Sequence, residues 1–129
     1  MFLRFVSWEV HREARVYAGI FCAAYRLRRA RRLSRYERRA LADLLDWFDE
    51  NLETPERFAM PAGKRWKHGV CWFKHAAGEH LARAHQMASI LEDNGVYIRM
   101  FKAKRVGTVI YEDKIQVVAV PSYDLNHQR

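Results

Sequence analysis

The sequence predicts an α+β fold, and three stretches decide it. Residues 68–101, HGVCWFKHAAGEHLARAHQMASILEDNGVYIRMF, read as strand, crossover helix and strand in one run. Ser34 followed by Glu37 is a capping box, which starts a second helix directly after a first and makes residues 13–52 a helical hairpin. Two β-rich runs, 106–111 and 115–120, close the chain around the polar tip Glu112-Asp113-Lys114. The expected order is β-α-α-β-α-β-β-β in a single domain over residues 1–121, followed by a polar tail at 122–129. Its sheet is mixed, mostly antiparallel, of about five strands, with the hairpin and the crossover helix covering one face.

Each element has a local reason. Phe2, Arg4 and Val6 alternate with Leu3 and Phe5, so residues 2–6 read as a strand apolar on both faces and interior to the sheet, with 7–12 as its exit loop. From Glu13 to Arg32, Val16, Ile20, Ala23, Leu27 and Ala30 give one helical stripe, and Tyr17, Phe21 and Tyr25 a second beside it. In the next helix Leu41, Leu44, Leu45, Phe48 and Leu52 form the buried stripe. Thr54-Pro55-Glu56 looks like the start of a further short turn, and residues 60–64 are the only linker-like stretch.

Val70, Cys71, Trp72 and Phe73 form a short buried strand that ends abruptly at Lys74 and His75. In the crossover helix Ala77, Ala84, Met87, Ala88 and Leu91 fall with Leu81 on one side, opposite Glu79, Arg83 and Gln86. Asn94-Gly95 stops it. Residues 96–102 then alternate as a strand, and a connection of this length allows parallel pairing of the two strands it joins. With the two C-terminal runs, residues 96–102 are expected to make an antiparallel meander.

At 129 residues, half apolar and 13% aromatic, the chain is long enough for one core. It has no apolar run of about 18 residues, and the start MFLRFVSWEVHR lacks a signal peptide's longer apolar core and cleavage pattern, so no membrane span is expected and the reading is cytoplasmic. Cys22 and Cys71 are both expected in the core as reduced thiols.

The run WFDENLETPERF at 47–58, then CWFK at 71–74, Glu79-His80 and YEDKIQVVAVP at 111–121 resemble the recurring blocks of a family of small uncharacterised bacterial proteins. The resemblance covers most of the chain and implies no activity.

The net charge of +8 favours nucleic acid, another polyanion or an acidic protein as partner. Its distribution is sharper than its total. Eight arginines lie between Arg26 and Arg39 with only Glu37 to offset them, whereas residues 43–56 hold six acids and no base. Arg28, Arg29, Arg31 and Arg32 suit the negative end of the first helix, but Arg35, Arg38 and Arg39 open the second helix and Asp49, Glu50 and Glu53 end it, against its dipole. The expected site is therefore Arg28, Arg29, Arg31, Arg32, Arg35, Arg38 and Arg39, with the Tyr17, Phe21, Tyr25 stripe alongside for stacking. The competing reading is a solvated hairpin whose arginines pair with Asp43, Asp46 and neighbouring acids.

A secondary anion site is Lys74, His75 and His80, where a strand hands over to a helix N-terminus. The competing reading of His80 is a core histidine bonded to a backbone carbonyl. His68, Cys71, His75, His80 and His85 are dense in histidine but give no complete metal set. Glu112-x-Lys114 resembles half of a metal-dependent nuclease core, without the acid of a preceding strand. No cofactor or catalytic residue is expected, and the balance falls against an enzyme. The leading reading is a small basic module that binds an anionic partner, nucleic acid ahead of acidic protein, through its arginine-rich hairpin. The alternatives are a small enzyme or ligand sensor built on Lys74, His75 and His80, and a protein-interaction subunit, with an oligomer possible in any case.

Overall fold

The computed structural model describes residues 1–11, 16–53 and 70–120, with side chains over 1–7, 19–53 and 70–120. Its elements are β1 (Phe2–His11), β2 (Val16–Gly19), α1 (Ile20–Arg29), α2 (Arg35–Asn51), β3 (Val70–Lys74), α3 (Gly78–Asp93), β4 (Ile98–Ala103), β5 (Thr108–Glu112) and β6 (Gln116–Val120). The α+β class holds, with one strand more than the sequence predicts. The Thr54-Pro55-Glu56 turn, residues 60–64, His68 and the tail from 122 lie outside the described residues.

The extra strand comes from the region read as the exit loop and the start of the first helix. β1 runs on to His11 and pairs antiparallel with β2, with Val10 opposite Tyr17 and His11 opposite Val16. Val16 and Tyr17 have high strand propensity, and in so short a run the available partner outweighs the helical spacing. Gly19 then stands in extended backbone at the N-cap of α1. The first helix accordingly starts at Ile20 and ends at Arg29, and Tyr17 is not on it.

Every pairing in the six-stranded sheet is antiparallel. One edge of β1 takes β4, from Phe2 opposite Ala103 to Ser7 opposite Ile98. The other takes β3 at Leu3, opposite Phe73, and β2 from Val6 onward. β3 continues to β6 and β6 to β5. Strands β3 and β4 therefore run parallel with β1 between them, and α3 crosses over β1 rather than joining adjacent strands. The meander expected for residues 96–102 is not made, because β4 pairs β1 and only β5 and β6 form a hairpin. A strand apolar on both faces, as the sequence predicts for β1, is stable with a partner on each edge, and β4 supplies the second.

Register partners share a face. Leu3, Phe73 and Gln116 lie on the side where the three helices pack, around a core that includes Phe5, Ile20, Leu27, Leu41, Phe48, Met87 and Leu91. Leu41, Leu44, Leu45, Phe48 and Leu52 are all buried, as the helical period predicts. The other face carries a smaller cluster in which Val106, Val117 and Ala119 pack with Phe2, Trp72 and Ala103. The link from β4 to β5 brings Val106 onto it. Cys22 points outward from α1, contrary to expectation, because at helical spacing it falls opposite Ile20, Ala23, Ala24 and Leu27. Among the described residues, no helix is long and apolar enough to cross a membrane.

Candidate nucleic-acid interface

The two basic helix ends meet at residues 30–34. The Ala30 N–H closes α1 by donating to the carbonyls of Arg26 and Leu27, each at 3.1 Å. Arg31 then turns the chain in the left-handed region, with φ 57°. Leu33 is buried in the main core and fixes the link to it. Ser34 opens α2 with the predicted capping box: its Oγ accepts from the Glu37 N–H at 3.1 Å, and Glu37 Oε1 accepts from the Ser34 N–H at 3.4 Å.

All eight arginines from Arg26 to Arg39 are exposed. Glu37, the one carboxylate among them, has both oxygens engaged, since Oε2 accepts from Asn94 Nδ2 at 3.1 Å. The Asn94 bond and those from Ser34 hold its carboxyl below the ordinary value. Among the described residues, Arg28, Arg29, Arg31, Arg32, Arg35, Arg38 and Arg39 form no salt bridge, with Asp43 and Asp46 or with any other acid. Arg28 lies over the Tyr25 ring at 5.0 Å.

The neighbouring aromatics differ from the expected stripe. Tyr17 is on β2, Phe21 packs edge-on against Phe48 at 4.9 Å, and Tyr25 is half-buried beneath Arg28. The ring that faces solvent among the arginines is Tyr36, 82% exposed. Its signal was present in the sequence: on α2 it falls about 130° from the centre of the leucine stripe, an aromatic on a polar face. Arg35, Tyr36, Arg39, Ala40 and Asp43 line an open pocket of about 640 Å³. Tyr36, Ala40 and Asp43 also line a second, of about 440 Å³, that continues between α2 and α3 to Arg83, Gln86 and Ser89. The two make one groove leading away from the basic end.

The secondary site is split. His80 is buried, with Nε2 at 2.7 Å from the Asn51 carbonyl and its ring 4.7 Å from that of Trp47. Since the carbonyl accepts, Nε2 carries the proton, and His80 satisfies one of the free carbonyls at the end of α2. Lys74 Nζ bridges to Glu112 at 2.6 Å, and His75 is exposed. Around the start of α3, the Ala77 and Gly78 N–H groups already donate, to Lys74 O and Ala76 O at 2.9 Å.

Comparison with protein-family models, curated proteins and solved structures finds no match.

The β5–β6 tip is held from within. Asp113 Oδ1 accepts from the Ile115 and Gln116 N–H groups at 2.8 and 2.9 Å, and Oδ2 accepts from the Tyr111 hydroxyl at 2.9 Å. Burial disfavours the ionised carboxyl, but these donors outweigh it and hold Asp113 below its ordinary value, while the same bond raises Tyr111. Gln116 Nε2 donates to the Glu53 carbonyl at 2.7 Å, and the Cys71 thiol donates to Gln116 Oε1 at 2.9 Å. Burial pushes that thiol up to about 12, so Cys71 is neither a ready nucleophile nor a ready metal ligand. No three His, Cys, Asp or Glu groups converge on a metal position among the described residues.

Proposed function

We propose that this chain is a small basic binding module that engages nucleic acid through the hairpin bearing Arg28, Arg29, Arg31, Arg32, Arg35, Arg38 and Arg39, working in the cytoplasm and grouped with the small bacterial proteins whose blocks it resembles. The observation that carries the reading is the lack of carboxylate partners for these seven exposed arginines among the described residues. Guanidinium stays charged at every physiological pH and meets phosphate oxygens with paired N–H donors. A dense set of such groups attracts polyanions with little sequence readout.

The test is fluorescence anisotropy of a labelled oligonucleotide with wild type and with Arg31, Arg32, Arg35 and Arg38 all changed to Gln. The variant should bind at least about tenfold more weakly at low salt and melt at nearly the same temperature, because these side chains lie outside the core. Unchanged affinity would reduce the patch to a solvated surface.

The interaction-subunit reading has one observation of its own. Asp49, Glu50, Glu53 and Asp113 line an acidic pocket of about 450 Å³ at the C-terminal end of α2, the opposite end from the arginines. A basic patch on a second copy would complement it, and sedimentation that shifts with salt would support that pairing.

A further inference from the structure

We infer that the groove beside the arginines is a single-strand site in which a nucleic-acid base stacks on Tyr36 while the flanking phosphates lie on Arg35 and Arg39. The inference rests on the nucleic-acid reading and specifies which form is bound and by which side chain.

Four observations lead there. Tyr36 is 82% exposed, whereas Phe48 and Phe73 are buried and Phe21, Tyr25 and Trp47 are half-buried against the core. A ring left this open gains nothing from the core, but it offers a full face for stacking. Arg35 and Arg39 stand one helical turn apart and line the same pocket as the ring, so the cationic and aromatic groups border one volume of about 640 Å³. At the start of α2 the capping box already occupies the Glu37 N–H and Glu37 Oε1, and Asn94 occupies Oε2, so the carboxylate nearest the ring is already engaged.

The fourth observation orients the strand. Asp43 lines the groove just beyond Tyr36 and Ala40, and Gln86 and Ser89 continue it. A phosphate is repelled by the Asp43 carboxylate and keeps to the arginine side. The edges of adenine, cytosine and guanine carry exocyclic amino donors, and thymine and uracil a ring N–H, that a carboxylate accepts, so bases point into the groove and backbone runs outside it. A duplex keeps its bases stacked within the helix and presents only phosphates and groove edges, so it meets the arginines without using Tyr36.

The experiment measures binding of the full chain to a labelled single strand (DNA and RNA), to the duplex of the same sequence and to inorganic polyphosphate, using wild type, Tyr36→Ala, Tyr36→Phe and the four-Gln variant. Tyr36→Ala should weaken single-strand binding by about 5- to 150-fold, the range for losing one base stack. Duplex and polyphosphate affinities should not change, and Tyr36→Phe should bind the strand like wild type. Because the ring is exposed, the Ala variant should melt with wild type, which separates loss of contact from loss of fold. If the four-Gln variant weakens every polyanion but Tyr36→Ala weakens none, the arginine reading stands and the stacking site falls. Equal loss by Tyr36→Ala on all three ligands also overturns the stacking site. A wild type that binds no nucleic acid, or that binds polyphosphate but neither strand nor duplex, overturns both.

Discussion

Phe73 stands where the sheet meets its helical layer: its ring centre lies 6.2 Å from Phe48, 6.4 Å from Phe5 and His80, and 6.5 Å from Phe21. Truncation would open a cavity bordered by three helices and β1. Phe73→Ala should therefore cost roughly 3–5 kcal/mol in denaturant unfolding, a large part of a small domain's stability. A variant as stable as wild type would contradict a central β3. Arg31 is strained rather than packed, since its φ of 57° crowds the side-chain Cβ against the backbone. Arg31→Gly should accordingly be about 1 kcal/mol more stable than Arg31→Ala, although both lose the same charge. Equal stability would mean that the turn relaxes when the side chain is shortened. At this scale the sequence was uneven. It set a core His80 bonded to a backbone carbonyl ahead of a ligand role, and the burial beside Trp47 with a bond to Asn51 O is that arrangement. It passed over Tyr36, because Tyr17, Phe21 and Tyr25 fit a helical stripe that the β2 strand interrupts.

Helix α2 was the most legible element, for it combines a capping box with five leucine and phenylalanine positions at one period. Its start also titrates. Glu37 lies below its ordinary value of 4.5, chiefly through Asn94 and then Ser34. A carboxyl depressed in the folded state stabilises fully above the unfolded value and loses that contribution as pH falls through the folded one. The melting-temperature difference between wild type and Glu37→Gln should thus be constant near neutrality and shrink below about pH 4.5. A gap independent of pH would show that the carboxylate's charge contributes nothing. Asp113 shifts the same way, so overall acid sensitivity should fall in the same window. Strand β4 was less legible. Alternation identifies a strand and its two faces but not its neighbour, and pairing with β1 rather than β5 depends on a second open edge at the other end of the chain, Phe2 to Ser7, visible only after folding. The start of α1 failed for a related reason, because Val16-Tyr17-Ala18-Gly19 suits both periods and β1 supplies the deciding partner.

Across the whole molecule, charge is sorted along one helix, with Arg35, Arg38 and Arg39 at the start of α2 and Asp49, Glu50 and Glu53 at or just beyond its end. The arrangement opposes the helix dipole at both ends, at a cost of a few tenths to about 1 kcal/mol per charge. What it yields is a basic edge at residues 26–39 whose only carboxylate is engaged elsewhere, flanked by a groove with one open aromatic ring. That segregation could be read from the sequence; the groove could not, because it needs α3 laid against α2. Whether the arginine hairpin holds the polyanion is read from the salt dependence of single-strand binding in wild type and in the four-Gln variant. Each phosphate contact contributes about 0.7 to the slope of log Kobs against log salt. Wild type should show a steep negative slope, and the variant one shallower by up to about 3. Parallel lines for the two proteins would contradict that role of the hairpin, because the polyanion would then be held elsewhere.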